Sequence, residues 1–565
     1  MILSKSENRL ATRGFAVLFV LSAVILFWKC RFGYANLDET FYLTVPYRFC
    51  LGDSPLVHEW HLSQLSGLLL VPAMKLDRLL FPGTEGIVLR FRLLFTAVWC
   101  AAALLLFLRL RPVSPLGAAA AALTLQLYVT HGLMALDYYT MGVLLMLAAG
   151  LFLGREKQSA AADAAAGLCY AGAVLCCPTL LLLYPLFFIQ ALCRALRRDG
   201  ALLRRWLWFT LGCGGAFLAF CLMLLSRVSF GQVLRALPWI FDDPEHAETS
   251  LLRKTADFAY SILRCNRAYI PALAALAAIR LLTGRKKAAC LGAAGVCLIV
   301  AGLLAYALLL LALFDLVVQL YLDYIIFPIH LAGLYCALSS EREEIRRLFR
   351  TLWLPGALYC FCIHLSSNQV FYVIASASAV MAVASLVMIT LFVQDCVRAE
   401  PKKPLRRLAS LSLAVLLLTQ LGSVAALRWR TVFWEPTGMR TQTVLAESGP
   451  EKGIWMTPER AQHYRGLEAD AAVVRDESAI TKVLFYSGDN VLYLCAQKEV
   501  AAYSAWLSGL NEHSLQRLDA YWALSPEKQP DAVYIPADFL VYAEHFLAQG
   551  YQARELPTGA LLLTR

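Results

Sequence analysis

Leu62-Ser63-Gln64-Leu65-Ser66-Gly67-Leu68-Leu69-Leu70-Val71-Pro72-Ala73-Met74-Lys75-Leu76-Asp77-Arg78-Leu79-Leu80 is apolar enough to be read as a membrane span. Whether it crosses decides the sidedness of everything after it. The question arises because the 565-residue chain is 59% hydrophobic and only 16% charged, with a mean hydropathy of +0.60. A soluble protein carries about 25% charged residues. These values exclude intrinsic disorder, and the scattered cysteines exclude a disulfide framework. A polytopic membrane protein remains. The 17 cysteines lie mostly in apolar runs, where Cys acts as a small buried hydrophobe.

Thirteen segments have the length and apolarity of spans: 14–29, 88–108, 115–134, 139–153, 165–176, 178–193, 206–226, 268–283, 288–313, 317–338, 350–366, 370–393 and 408–427. Lys5, Arg9 and Arg13 place the N-terminus in the cytoplasm, and the first span reads as uncleaved. If 62–80 does not cross, the clusters Arg109/Arg111, Arg155/Lys157, Arg194–Arg205, Arg285–Lys287, Arg342–Arg347 and Arg398–Arg407 all fall inside. If it crosses, all fall outside. The positive-inside rule therefore makes 62–80 an outer interfacial helix, which suits its Pro72, Lys75, Asp77 and Arg78. The same rule splits 165–193 into two short passes broken near Pro178. The formal net charge of +11 is then the excess of cytoplasmic loops, and nucleic acid is not an expected partner.

This topology predicts two parts. Residues 1–427 form an all-α membrane domain of about thirteen spans, with a first outer loop at 30–87. Residues 428–565 have ordinary charge density and alternating short apolar and helical patterns. They predict an extracytoplasmic α/β domain with strands at Gly453–Met456, Lys482–Tyr486, Val491–Cys495, Ala532–Ile535 and Ala560–Thr564, and helices at 499–509 and 537–548.

The remaining acids then matter individually. Asp38 and Glu39 follow the first span. Asp137 is isolated between two apolar spans, either a functional carboxylate or an N-cap of the next helix. The topology puts all three on the outer face, each at a helix end. Carboxylates at that boundary can serve as a general base or hold a divalent cation. His330, with Asp315 and Asp323 nearby, is a weaker candidate inside a late span.

The run Asp38-Glu39-Thr40-Phe41-Tyr42, then Gly52-Asp53, Glu59-Trp60-His61-Leu62-Ser63-Gln64, Pro72 and Gly83…Gly86…Leu89-Arg90, resembles the GT-C glycosyltransferases. It is most similar to the branch of protein O-mannosyltransferases and aminoarabinose transferases. Asp137 falls where that family has its second outer acid, and the Cys177-Pro178 hairpin fits its paired middle helices. The resemblance covers roughly residues 10–230. This chain has Glu59 where the family often has Asp, and Tyr138 where it often has a basic residue beside the second acid.

The resemblance implies an inverting transfer of a sugar from a polyprenyl-phosphate donor to an extracytoplasmic glycan, lipid or protein acceptor. Asp38 would be the base or the acceptor-orienting group, with Glu39 and Asp137 as the other catalytic acids. Donor phosphate and substrate contacts would come from Arg90, His61, Gln64, Glu59 and Arg264. Arg92 and Arg267 read as interfacial anchors. Glu59, His61 and Asp38 are the set that could hold a divalent metal ion. Two rivals share parts of this pattern: a transporter or flippase for a lipid-linked sugar, and a glycan polymerase or ligase. The absence of an internal repeat argues against the first, and the lack of a long basic loop after residue 267 against the second.

Overall fold

The computed structural model describes the chain apart from residues 1–4, 35–37, 130–131, 199, 243–249, most of 268–288, 315–327, 368–369, 433–434, 436–437 and 508. Most of the expected span 268–283, part of 317–338, Asp315 and Asp323 lie outside the described residues. The helices of the membrane part are α1 (Lys5–Lys29), α2 (Asp38–Cys50), α3 (Gly67–Leu80), α4 (Ile87–Leu110), α5 (Pro115–Leu127), α6 (Tyr138–Leu153), α7 (Ala160–Cys176), α8 (Leu183–Leu196), α9 (Ala201–Leu225), α10 (Phe230–Phe241), α11 (Leu251–Asn266), α12 (Ala289–Phe314), α13 (Pro328–Ser339), α14 (Glu343–Leu365), α15 (Val370–Ala399) and α16 (Lys403–Arg430). Among the described residues, eight helices have the length and composition to cross a membrane, and four shorter ones are apolar. Together they match twelve of the thirteen expected segments.

The segment 62–80 is a 3-10 turn followed by the 14-residue α3, which carries Lys75, Asp77 and Arg78 and packs against α2. Leu76, Leu79 and Leu80 are left exposed on it, as an interfacial helix requires. Residues 165–193 form two antiparallel passes. Along α7 and α9 contacts run in the same order, Asp163 with Arg205 and Gly167 with Phe209. Along α8 and α9 they run in reverse, Tyr184 with Thr210 and Phe188 with Trp206. Pro178 starts the short 3-10 turn between α7 and α8.

Sidedness is therefore visible as two groups of helix ends. At one end Arg205 meets Leu153 and Asp163, Arg347 meets Glu156, and Arg342 meets Asp395. At the other end Lys29 donates to the carbonyls of Arg428 and Thr431, capping α16, and Thr179 donates to the Cys362 carbonyl. The acids Asp38 and Asp137 belong to the second group.

The core is organised around α15, whose apolar stretch is completely buried against α5, α6, α13 and α14. Its Ala/Ser-rich sequence lets neighbours approach closely. Gly117, Gly333 and Gly356 come from three helices and face Val387, Ser385 and Met381, with no room for a side chain. Gly167 and Gly212 play the same part where α7 crosses α9.

Beyond α16 the chain forms an α/β region. The hairpin β1 (Val444–Leu445) and β2 (Trp455–Met456) precedes α17 (Pro458–Asp476), β3 (Lys482–Phe485), α18 (Val491–Ala496), β4 (Glu499–Val500), α19 (Glu512–Leu524), β5 (Ala532–Ile535), α20 (Ala543–Leu547), β6 (Gln552–Glu555) and β7 (Leu561–Thr564). The five-stranded sheet has the order β4-β3-β5-β7-β6, parallel on the β3 side and antiparallel from β5 to β6. Two expectations fail here. Val491–Cys495 is a helix, not a strand: it is buried on every side, and a short apolar run carries no period to tell the two apart. The helix expected at 499–509 is absent from the described residues there, which form the short β4 and then irregular chain. The edge strand β6, Gln552–Glu555, is exposed throughout and has no apolar alternation to reveal it.

Candidate active site

α2 begins with Asp38 and Glu39, acids placed where the positive end of a helix dipole favours them. From Glu39 to Phe49 the helix is buried. Asp38 is half-buried at its tip. Asp137 is brought to the same place by α6. Tyr42 of α2 meets Tyr138 of α6 edge to face, with ring centroids 5.9 Å apart. Asp38 is close enough to raise the pKa of Asp137 by like-charge repulsion.

The N-cap reading of Asp137 holds. Its Oδ1 accepts from the Thr140 backbone N–H and hydroxyl at 2.7 Å each, a reciprocal capping box for α6. Its Oδ2 is buried with no hydrogen-bond partner among the described residues. Burial pushes the carboxyl up to about 7; the Thr140 bonds oppose this and Asp38 adds to it. A cap needs only one oxygen, so the second is available for chemistry.

Glu39 is not free for the same task. Arg92 grips it with two parallel bonds, Nε to Oε1 at 2.7 Å and Nη2 to Oε2 at 2.6 Å. The remaining Arg92 donors go to the carbonyls of Cys30 (3.1 Å), Phe32 (3.2 Å) and Gly33 (2.9 Å). All five guanidinium N–H groups are thus satisfied. Arg92, expected as an interfacial anchor, is a buried strut that fixes the chain before α2 to the start of α4. Glu451, buried close by, has both oxygens without a partner among the described residues. Burial lifts it to about 8, against the opposing pull of Arg92, with Glu39 adding to the rise.

The expected phosphate contacts are distributed differently. Arg90 is paired with both oxygens of Asp77 at 2.5 and 2.7 Å, and lies 4.5 Å over the Phe81 ring. It pins α3 to α4. Glu59 is fully buried against Arg48 at 2.7 Å and also accepts from the backbone of His61 and Ala505. Arg48 further binds Asp53 at 2.6 Å and the carbonyls of His58 and Ala502. Sequence reasoning missed Arg48; the signal was a lone cation in an otherwise apolar helix, followed by Asp53 and Glu59. His61 turns Nδ1 to Ser63 and lies 4.7 Å from the Phe41 ring, with Trp506 completing the cluster. Gln64 accepts from Leu56 N–H through Oε1, while its buried Nε2 has no partner among the described residues. Arg264 is exposed on α11, which packs on α14 and α15. His330 is buried, its carbonyl taking the Trp353 indole N–H.

The metal set is not assembled: Glu59 is committed to Arg48, and among the described residues no three His, Cys, Asp or Glu side chains converge. No step below is routed through a metal.

The outer loop is closed by the C-terminal region. Trp60 packs between Trp239, Tyr503 and Tyr521, and its backbone N–H donates to the Tyr503 carbonyl at 2.7 Å. Gly33 donates to the Trp455 carbonyl and Trp455 N–H to the Arg31 carbonyl, Gly86 donates to Gly449, and Lys528 reaches Asp53 at 2.6 Å.

No protein-family model and no curated protein matches the sequence. Solved structures do. ArnT from Cupriavidus metallidurans bound to undecaprenyl phosphate superposes with a TM-score of 0.50 at 11% identity, over 97% of this chain and 98% of that one. AglB from Archaeoglobus fulgidus, in complex with an inhibitory peptide and a dolichol-phosphate, gives 0.46 at 13% identity, over 98% of this chain and 74% of that one. ArnT is matched over nearly the whole of both chains, so the chain has the fold of that structure.

Proposed function

We propose that the protein is an integral-membrane glycosyltransferase that moves a sugar from a polyprenyl-phosphate donor to an acceptor outside the cytoplasm. The N-terminus is cytoplasmic and the α/β region, 428–565, lies outside with the acids, as the positive-inside rule requires. The observation that carries the reading is the pairing of two helix-tip carboxylates: half-exposed Asp38 beside Asp137, whose Oδ2 is buried and unbonded among the described residues.

Asp38 accepts the proton of the acceptor hydroxyl or amine as that group attacks the anomeric carbon. The bond to the donor phosphate breaks, the configuration inverts, and the phosphate leaves as an anion without a general acid. Ionised Asp137 raises the proton affinity of Asp38 through like-charge repulsion, making it a stronger base near neutral pH. Glu39 and Arg92 hold Asp38 in place. Glu59 and Arg90 are assigned to anchoring the outer loop, since their charges are spent on Arg48 and Asp77. His61, Gln64 and the exposed Arg264 are assigned to contact the donor and acceptor.

The test is release of polyprenyl phosphate by the purified protein from a panel of lipid-linked sugars. Release with sugar transferred supports the reading. Movement of the intact lipid-linked sugar across a bilayer, with no release from any donor, would replace it with a flippase.

A further inference from the structure

A cavity lies at the opposite end of the bundle from the acids. It measures about 810 Å³ and is walled by the start of α1, the α4–α5 turn, the α6–α7 turn, the start of α14 and the end of α15. Its lining includes Arg9, Arg13, Arg111, Arg342 and Arg398. Only two acids, Glu156 and Glu344, join them. These acids are already engaged, Glu156 by Arg347 and Glu344 by Arg342. Arg342 and Arg398 share Asp395. Arg9, Arg13 and Arg111 have no carboxylate partner among the described residues.

These three guanidinium groups, two from α1 and one from the α4–α5 turn, face one cavity and make its wall strongly cationic, a field that favours an anion. The N-terminus of α5 opens here too, with Ser114 and Pro115 in the wall, and adds the positive end of its dipole. Guanidinium is the side chain best matched to phosphate oxygens. The volume is that of a small-molecule site rather than a gap between helices.

We propose that this cavity is a phosphate-binding site that seats the headgroup of an anionic phospholipid from the leaflet on that face. The bound phosphate bridges α1, the α4–α5 turn and the ends of α14 and α15. Nothing in this inference depends on the glycosyltransferase reading.

The experiment is native mass spectrometry of the full chain in an uncharged detergent, titrated separately with short-chain phosphatidylglycerol, short-chain phosphatidylcholine and inorganic phosphate. One saturable phosphatidylglycerol is expected, bound about tenfold or more tighter than phosphatidylcholine. Arg13→Gln with Arg111→Gln should weaken it about tenfold or more, each lost contact being charge-assisted. Arg406→Gln with Arg407→Gln, exposed cations outside the cavity, should leave it unchanged. Inorganic phosphate that binds at these arginines in place of the lipid keeps the phosphate site and moves its source to the aqueous phase. Equal binding by the cavity variant, or no preference between the two lipids and no phosphate bound, overturns the proposal.

Discussion

Asp137→Asn separates the two tasks assigned to this residue. Asparagine caps a helix as well as aspartate, so the bond to Thr140 N–H survives while the titration is removed. In the folded protein the carboxyl is lifted from 3.8 to about 7. Between those values the folded state keeps a proton that the unfolded state has released. The stability this group supports is therefore complete below about pH 4 and is lost as pH rises through about 7. At about 1.4 kcal/mol per pH unit, that loss amounts to roughly 4 kcal/mol. Asp137→Asn should match the wild type near pH 4 and exceed it at pH 8 by up to that amount in thermal or chemical unfolding. Asp137→Ala, which also deletes the cap, should fall below the Asn variant by about 1 kcal/mol at every pH. In sugar-transfer assays the wild-type rate should climb through pH 7 as Asp137 ionises. The Asn variant should lose that limb and drop about a hundredfold. An Asn variant with wild-type rate and the same pH limb, or with unchanged pH dependence of stability, would refute the reasoning.

Other perturbations probe the scaffold. Arg92→Met strands the Glu39 carboxylate and should cost about 3–5 kcal/mol in unfolding, most of it recovered by Arg92→Met with Glu39→Leu. Recovery of stability without recovery of transfer would mark Glu39 as a positioning group. Glu451→Gln should flatten the pH dependence of stability in the upper window: burial holds Glu451 at about 8 against 4.5 when free, so the wild type loses stability as pH rises through about 8 and the variant does not. Glu59→Gln leaves Arg48 with Asp53 alone and should lower the unfolding midpoint while leaving donor KM unchanged; a raised KM at unchanged stability would return Glu59 to the substrate site. Gly167→Leu should abolish folding of the α7–α9 pair, measured as loss of detergent-stable monodisperse protein, because its Cβ would enter the Phe209 backbone.

Much of this was legible in the chain. Hydropathy and the arginine clusters set the alternation of spans, and the interfacial reading of 62–80 follows from Lys75, Asp77 and Arg78 as much as from length. Asp38 and Asp137 could be placed together because sidedness requires only counting. What could not be read were partners separated in sequence. Arg92 meets Glu39 from 53 residues away, and Arg48 is completed by the Ala502 carbonyl. Arg90 looked like a phosphate ligand because its position was known and its partner Asp77 was not. Val491–Cys495 misled because burial on all sides erases the period that distinguishes helix from strand.

The account turns on Asp38. Its direct measurement is the rate of polyprenyl-phosphate release from a productive lipid-linked sugar by Asp38→Asn against wild type, both verified as folded by melting. A general base contributes about 10²–10⁴ in rate, so a loss of at least a hundredfold with intact folding and donor binding is predicted. Release at the wild-type rate would contradict the assignment and leave the outer carboxylate pair without a catalytic role.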